Sequence, residues 1–513
     1  MLFDDDSTRD APIKHCTVLR LPCTAMLIFC TIRFILAILL FASAIVADQF
    51  PLDPIPITSA NGSQIWRHPS SHDHYIEVRE CKLCLGADLW SGYFHSIPDK
   101  ISIFFIYARA SLNPESAPLA IWTNGGPGAS AISVAFSKAT GCELREDFHG
   151  MRLPYNPNGP KRWNKKMNVV FIEQPIGTGF SRGNGKGAED TRVGTQYVYD
   201  FIQVVLARHP SISNVSLHSL SYGGHFIPEW AMRIVEENAK VKTGESPNHI
   251  VPLKSVTMGN AWFGTDGEYL TRFDLLCETH PNIVGATPLL SRSQCEKVSE
   301  HRSMCAEFLR QCRTHPSTNC SPAHLWCLTA IWSAAELSGR NLFHVDHFAP
   351  SGEGWDTYPA LTRFLNLRPV QIALGVIKSD DVLPVKWEFY STRVSDLHTL
   401  AGDHVRRTDI LLRPIIDAGV DVLIYGGTSD FVCGSRAVRG VIVAQKLVEG
   451  DIEHELRGWK HGSGRFICSR RESNRNGPGR FCYLEIDEQG HAVALDYDGW
   501  PDVLEKWVLE GSV

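Results

Sequence analysis

The stretch Leu217–Pro228, LHSLSYGGHFIP, constrains this 513-residue chain more than any other. Val215 and Leu217 belong to a short apolar run, and a helical pattern begins near Pro228 with Trp230, Ile234 and Val235. Ser-Tyr-Gly-Gly therefore occupies a strand-to-helix turn. A turn that sharp accommodates only small residues two before and two after its apex, because larger side chains collide there. Ser219 and Gly223 hold those positions, which makes Ser221 the candidate nucleophile. The following helix aims unpaired N–H groups and the positive end of its dipole at the serine, a setting that favours a nearby oxyanion. Alone, an SxSxG match is weak, since an ordinary loop fits it as well.

Its company is more specific. Val420–Cys433, VDVLIYGGTSDFVC, is a buried-strand run ending in a glycine-rich turn that presents Asp430. Tyr483–Val493, YLEIDEQGHAV, is an alternating strand followed by Gly490 and His491. Ser221, Asp430 and His491 each lie just past a strand end, in the order that α/β-hydrolases use for their triad. Ile121–Ser130, IWTNGGPGAS, is an apolar strand opening into a glycine turn whose N–H groups can approach a developing negative charge. From Asn168 onward strands and helical faces alternate, as in the helix through Tyr197, Phe201 and Val205. The expected fold is α/β, with a mostly parallel central sheet flanked by helices.

Taken together, WTNGGPGAS at 122–130, WNKKMNVVFIEQPIGTGFS at 163–181, SYGGHFIP at 221–228, GNAW at 259–262, YGGTSDFVC at 425–433 and GH at 490–491 resemble the serine carboxypeptidase family. The resemblance runs from about Trp90 to the C-terminus. It implies an α/β-hydrolase fold with a disulfide-rich, largely helical lid insertion. It also implies hydrolysis of C-terminal peptide bonds through an acyl-enzyme on Ser221, with His491 as base and Asp430 as its partner. The backbone N–H groups of Gly126 and Tyr222 are then the oxyanion donors, and Asn124 and Gly125 contact substrate. No cofactor and no metal is implied.

Three departures bear on substrate. The glutamate that normally precedes the nucleophile in that family is Leu220, and its carboxyl partner falls at Lys138 unless a small insertion lets Glu143 serve. Two close carboxyls raise each other's pKa, and with leucine in one place that device is gone. Ala129 stands where a cysteine usually follows NGGPG, so one family disulfide is missing or rerouted through Cys142, and Ala494 replaces a proline after the histidine. Peptide hydrolysis is the leading reading. An acyltransferase or esterase acting on a small acyl substrate is the alternative, and a binding or lyase-like protein fits worst with the intact Ser221, Asp430 and His491.

Residues 1–47 carry an apolar run, Phe34–Ala47, preceded by Arg33 and ending in small residues. It is shorter than the roughly 20 residues of a membrane span and suits a signal peptide, with Met26 as a possible start. An uncleaved signal anchor is the rival, and only then is the membrane a partner. The segment 48–89 is expected to be extended, 90–261 and 394–513 to form the core, and 262–393 the lid. Three of 15 cysteines precede the cleavage region, which leaves an even number, and six (Cys277, Cys295, Cys305, Cys312, Cys320, Cys327) crowd into the lid. That usage indicates an oxidising compartment, hence secretion or a vacuolar destination. Sequons at Asn61, Asn214 and Asn319 agree with it. Cys468 and Cys482 flank a basic stretch and are placed to pair across a hairpin, and Cys81 with Cys84 reads as disulfide material rather than a zinc site. His68, His72 and His74 read as solvated loop residues. A net charge of -6 gives no reason to expect nucleic acid. Oligomeric state stays open.

Overall fold

A computed structural model describes residues 62–513 apart from 138, 148–149, 184–188, 279–287, 349–357, 382, 461 and 470–476, and apart from the side chains of 147, 316–319 and 453. The apolar run Phe34–Ala47 expected to be a signal, Asn61, Lys138 and the Asn319 side chain lie outside the described residues. One sheet holds thirteen strands: β1 (Gln64–Arg67), β2 (His74–Glu80), β3 (Leu89–Ser96), β4 (Ile101–Ala108), β5 (Leu119–Trp122), β8 (Asn168–Ile172), β9 (Arg182–Gly183), β10 (Val215–Leu220), β11 (Leu253–Gly259), β12 (Asp421–Gly427), β13 (Arg457–Gly458), β14 (Gly464–Cys468) and β15 (Phe481–Ile486). A separate hairpin joins β6 (Arg145–Asp147) to β7 (Gly150–Arg152). The path across the large sheet is β1-β2-β3-β4-β8-β5-β10-β11-β12-β15-β14-β13, with β9 beside β4.

Its six central strands, β8, β5, β10, β11, β12 and β15, run parallel. Antiparallel strands flank them on both sides. The apolar runs seen in the sequence explain the centre: β4, β5, β8, β12 and β15 are buried at every position, because both faces are covered. Successive side chains of β12 alternate between two cores. Val422 and Ile424 belong to the core shared with helices Thr191–Arg208 and Gly223–Thr243, whereas Leu423 and Tyr425 belong to the one shared with helix Trp500–Glu510.

Two expectations change. The stretch 64–80 is not merely extended, since β1 and β2 add two antiparallel strands to the sheet beside β3. Its local pattern is too short to announce strands, and pairing with β3 supplies the burial of Ile76 and Val78. The even cysteine number is not fully paired either, because Cys81 and Cys433 stay as buried thiols. The bridges are Cys84–Cys142, Cys277–Cys295, Cys305–Cys327, Cys312–Cys320 and Cys468–Cys482. The CxxC cysteines thus part company, Cys84 taking the Cys142 that Ala129 leaves available. Asn214 Nδ2 donates to Val508 O at 2.9 Å, a contact that a glycan on that atom would break. No described helix is long and apolar enough to cross a membrane.

Between β11 and β12, helices Asp266–Cys277, Arg292–Thr314 and Pro316–Glu336 are stapled by three of these disulfides. Cys305 and Cys327 lie 22 residues apart, on two of these helices. Replacing both with alanine is expected to lower stability by about 3 kcal/mol through the freed denatured chain. The measurement is the urea midpoint, and an unchanged midpoint refutes a stabilising staple.

Candidate active site

Ser221 begins where β10 ends, at a backbone φ of 59°. That left-handed conformation costs a non-glycine residue roughly 1–2 kcal/mol and persists only where the surroundings enforce it. Here the end of β11 enforces it: Ser221 N–H donates to Gly259 O at 2.8 Å, and Trp262 N–H donates to Ser221 O at 2.9 Å. A Cβ on Gly223 would collide with the Ser219 side chain, so the turn needs small residues on both sides. Serine therefore satisfies the position two before the apex as long as glycine holds the one after it. Helix Gly223–Thr243 then leads away from the turn.

Asp430 follows β12, and His491 follows β15. His491 Nδ1 lies 2.8 Å from Asp430 Oδ2, and both side chains are buried. With Nδ1–H facing the carboxylate, Nε2 is the nitrogen left to accept a proton. The carboxylate also accepts from Val432 N at 2.8 Å, Cys433 N at 3.2 Å and Asn260 Nδ2 at 2.7 Å. The parallel register Leu220↔Gly259, Gly259↔Tyr425 and Tyr425↔Leu484 aligns the ends of β10, β11, β12 and β15. Ser221, Asp430 and His491 therefore emerge from one edge of the sheet, on strands spaced about 4.8 Å apart.

The glycine turn after β5 packs against the Ser221 elbow. A Cβ on Gly125 would lie 2.6 Å from Tyr222 N and 2.8 Å from Ser221 Cβ, so only glycine lets this backbone approach. Gly126, at φ 112°, continues the turn. Asn124 is buried and fully engaged: Oδ1 accepts from Trp122 Nε1 at 2.8 Å, and Nδ2 donates to Ser130 O at 2.8 Å and Ser133 Oγ at 3.2 Å. Leu220 packs against the apolar core beneath this loop. Glu143 is half-buried, with a carboxylate oxygen 3.9 Å from Arg145 Nη2.

Several contributors escaped the sequence reading. Asn260, within the GNAW block, bridges β11 to Asp430, and its φ of 41° follows Gly259 directly. Glu173, fully buried at the end of β8, accepts from Ser130 Oγ and from Phe180 N at 2.6 Å. It thereby ties the glycine turn to the QPIGTGF loop, where a Cβ on Gly179 would collide with its carboxylate. An acid closing an otherwise apolar strand was the available signal. Tyr222 donates its hydroxyl to Asp403 at 2.7 Å, and Asp403 also holds Thr191 and Arg406. Cys433 Sγ sits with the Asp430 and His491 ligand atoms within 4.8 Å of one another, and burial pushes its thiol far up.

A parallel sheet carrying a serine on a strand-to-helix elbow, with an Asp–His pair at the same edge, defines the class as α/β-hydrolase. The model of the family described as serine carboxypeptidase matches residues 82–508. This chain belongs to the serine carboxypeptidase family. It is 28% identical over 463 residues to carboxypeptidase Y of Schizosaccharomyces pombe, covering 86% of this chain and 43% of that protein, so it spans less than half of that relative's length. Carboxypeptidase S1 of Penicillium janthinellum is 28% identical over 363 residues, covering 69% of this chain and 79% of that one. In fold it is similar to Kex1(delta)p, a prohormone-processing carboxypeptidase from Saccharomyces cerevisiae, with a TM-score of 0.61 at 17% identity over 82% of this chain and 91% of that one.

Burial pushes the Glu173 carboxyl up from 4.5 to about 7, against hydrogen bonds from Ser130, Phe180, Ile132 and Ala131 that pull it down. A group whose folded value exceeds its unfolded one contributes stability that is full below the unfolded value and lost as pH rises through the folded one. Stability should therefore decline between about pH 4.5 and 7. Glu268, raised to about 7 by burial as well, adds to the same slope. Glu173→Gln is expected to flatten the curve of Tm against pH in that window; an unaltered slope contradicts the assignment.

Proposed function

We propose that this chain is a serine-type carboxypeptidase that releases C-terminal residues from peptides through an acyl-enzyme on Ser221. The observation that carries it is the Asp430–His491 hydrogen bond at the sheet edge from which the Ser221 elbow emerges. His491 Nε2 takes the Ser221 proton as Oγ attacks the carbonyl carbon, and Asp430 fixes the imidazole tautomer and stabilises its positive charge. The oxyanion is held by the N–H groups of Gly126 and Tyr222, each worth about 3 kcal/mol. His491 returns the proton to the leaving amine, and water then enters by the same route in reverse. Asn124 and Gly125 border the leaving group, and the chain between β11 and β12 roofs the site. Five disulfides support an oxidising compartment, which fits a secreted or vacuolar destination.

A second reading, an acyltransferase or esterase, rests on a specific observation. Both N–H groups of Asn124 are engaged within the protein, and the neighbouring position that would carry a carboxyl is apolar Leu220. A terminal carboxylate buried beside Leu220 loses hydration without an obvious replacement.

Ser221→Ala is expected to lower turnover by at least about 10⁴-fold and to abolish covalent labelling by a fluorophosphonate. Labelling retained in that variant ends the assignment. A blocked dipeptide with a free C-terminal carboxylate, its amide and a simple ester, compared from about pH 4 to 8, separates the readings. Preference for the free acid supports peptide release, and turnover of the ester alone supports the second reading. Leu220→Glu should raise kcat/KM for the free acid over the amide at acidic pH; a variant with no gain in that ratio shows that position 220 does not govern carboxylate recognition.

A further inference from the structure

His68, His72 and His74 read in sequence as solvated, and the structure separates them. His72 is exposed, but His68 is buried and His74 nearly so, with 3% and 20% of their side chains accessible. They flank the turn from β1 to β2 and face Asp200, which is 3% accessible on the inner side of helix Thr191–Arg208. Strands β3, β4, β8 and β5 lie between this hairpin and β10, so the cluster is separate from the Ser221 edge.

Both contacts are longer than the hydrogen bond between His491 and Asp430. His68 Nε2 is 3.6 Å from Asp200 Oδ1, and His74 Nδ1 is 3.3 Å from Asp200 Oδ2. Neither His68 Nε2 nor Asp200 Oδ2 has a hydrogen-bond partner among the described residues, although both atoms are buried. A charge-assisted pair closes to about 2.8 Å, as His491 and Asp430 do. Two ligands bound at about 2.0–2.1 Å to one tetrahedral ion lie about 3.3–3.4 Å apart. All three ligand atoms lie within 4.8 Å of one another.

The outward nitrogen of His74 agrees. Ser96 Oγ donates to Asp99 at 3.1 Å, so it accepts from His74 Nε2 at 3.2 Å. In the neutral ring that leaves a lone pair on His74 Nδ1 facing a carboxylate oxygen, a repulsive arrangement in a buried site that a proton or a metal ion between them relieves. His68 Nδ1 lies 3.4 Å from Ser70 Oγ, whose hydroxyl donates to Asn248 Oδ1 at 2.5 Å. Ser70 N–H donates to His68 Nδ1 at 3.2 Å, so Nδ1 is an acceptor and Nε2 carries the ring proton that metal ligation would displace. A hydroxyl receiving the second N–H, as at His74, is the outer contact that metal-ligating histidines use.

We propose that His68 Nε2, His74 Nδ1 and Asp200 bind a divalent ion of the Zn²⁺ type, with water in the fourth position. Two imidazoles and one carboxylate suit Zn²⁺ better than Ca²⁺ or Mg²⁺. The ion clamps the β1–β2 hairpin onto helix Thr191–Arg208.

The test uses tag-free full-length protein stripped with EDTA and titrated with Co²⁺. The expected result is one equivalent bound with the visible absorption of a four-coordinate site, displacement by Zn²⁺, and a Tm raised by several degrees. Gln196 Nε2 donates to Asp200 Oδ1 at 2.7 Å; Asp200→Asn, which can keep that oxygen acceptor, and His74→Gln, at a partly exposed position, should each lose the absorption and the Tm rise while still labelling at Ser221. Absence of Co²⁺ absorption, or absorption that survives in both variants, overturns the proposal. Survival with thiolate character would place the ion at Asp430, Cys433 and His491, the other described group with ligand atoms this close. A Tm that ignores added metal also overturns it.

Discussion

Two backbone hydrogen bonds from the end of β11 hold Ser221 in a conformation it would not otherwise adopt. Everything at the site is referred to that strand end. Gly259 supplies the carbonyl for Ser221, and a Cβ there would collide with the Tyr425 ring of β12. The next residue, Asn260, donates its backbone N–H to Tyr425 O and its side chain to Asp430. A single dipeptide thus fixes the elbow on one side and the acid on the other. Its strain, spread over Ser221 and Asn260, is offset by hydrogen bonds that exist only in the folded sheet.

Much of this was legible because it depends on local pattern. Buried strands read as unbroken apolar runs, and the turns that follow them carry Ser221, Asp430 and His491 next to glycines that only tight geometry requires. What stayed hidden depends on partners distant in the chain. Asn260 and Glu173 look like ordinary polar residues at strand ends until Asp430 and Ser130 arrive from 170 and 43 residues away. The strands β1 and β2 have too few residues to show a period, and burial against β3 defines them. His68 and His74 looked solvated because nothing nearby in sequence reveals Asp200. Disulfide partners are undetermined by count alone: an even number did not prevent Cys81 and Cys433 from remaining thiols.

The glycine turn after β5 faces two demands at once. Gly125 must let its backbone reach Tyr222 N, and in the proposed mechanism the loop must not move when charge develops there. Rigidity comes from beneath, through Asn124 to Ser130 and Ser133 and through Ser130 to Glu173. A side chain that anchors the loop with all its N–H groups has none to offer a ligand. Were Asn124 to bind a substrate carboxylate, as proposed, loop stability and recognition would compete for the same amide.

The chain between β11 and β12 is bonded to the turns that carry Asp430 and His491. Phe343 O accepts from His491 N at 2.7 Å, Leu342 O accepts from Phe431 N at 3.1 Å, and Ser429 O accepts from Val345 N at 2.9 Å. Asp346 takes the Ser429 hydroxyl as well. Gly490 must be glycine because a Cβ would collide with Phe343 O, so this segment presses directly on the turn that carries the imidazole. The turns bearing Asp430 and His491 are consequently held from above by residues 342–346 and from below by the sheet. Substitutions at 342–346 are therefore expected to act on the distance between histidine and aspartate.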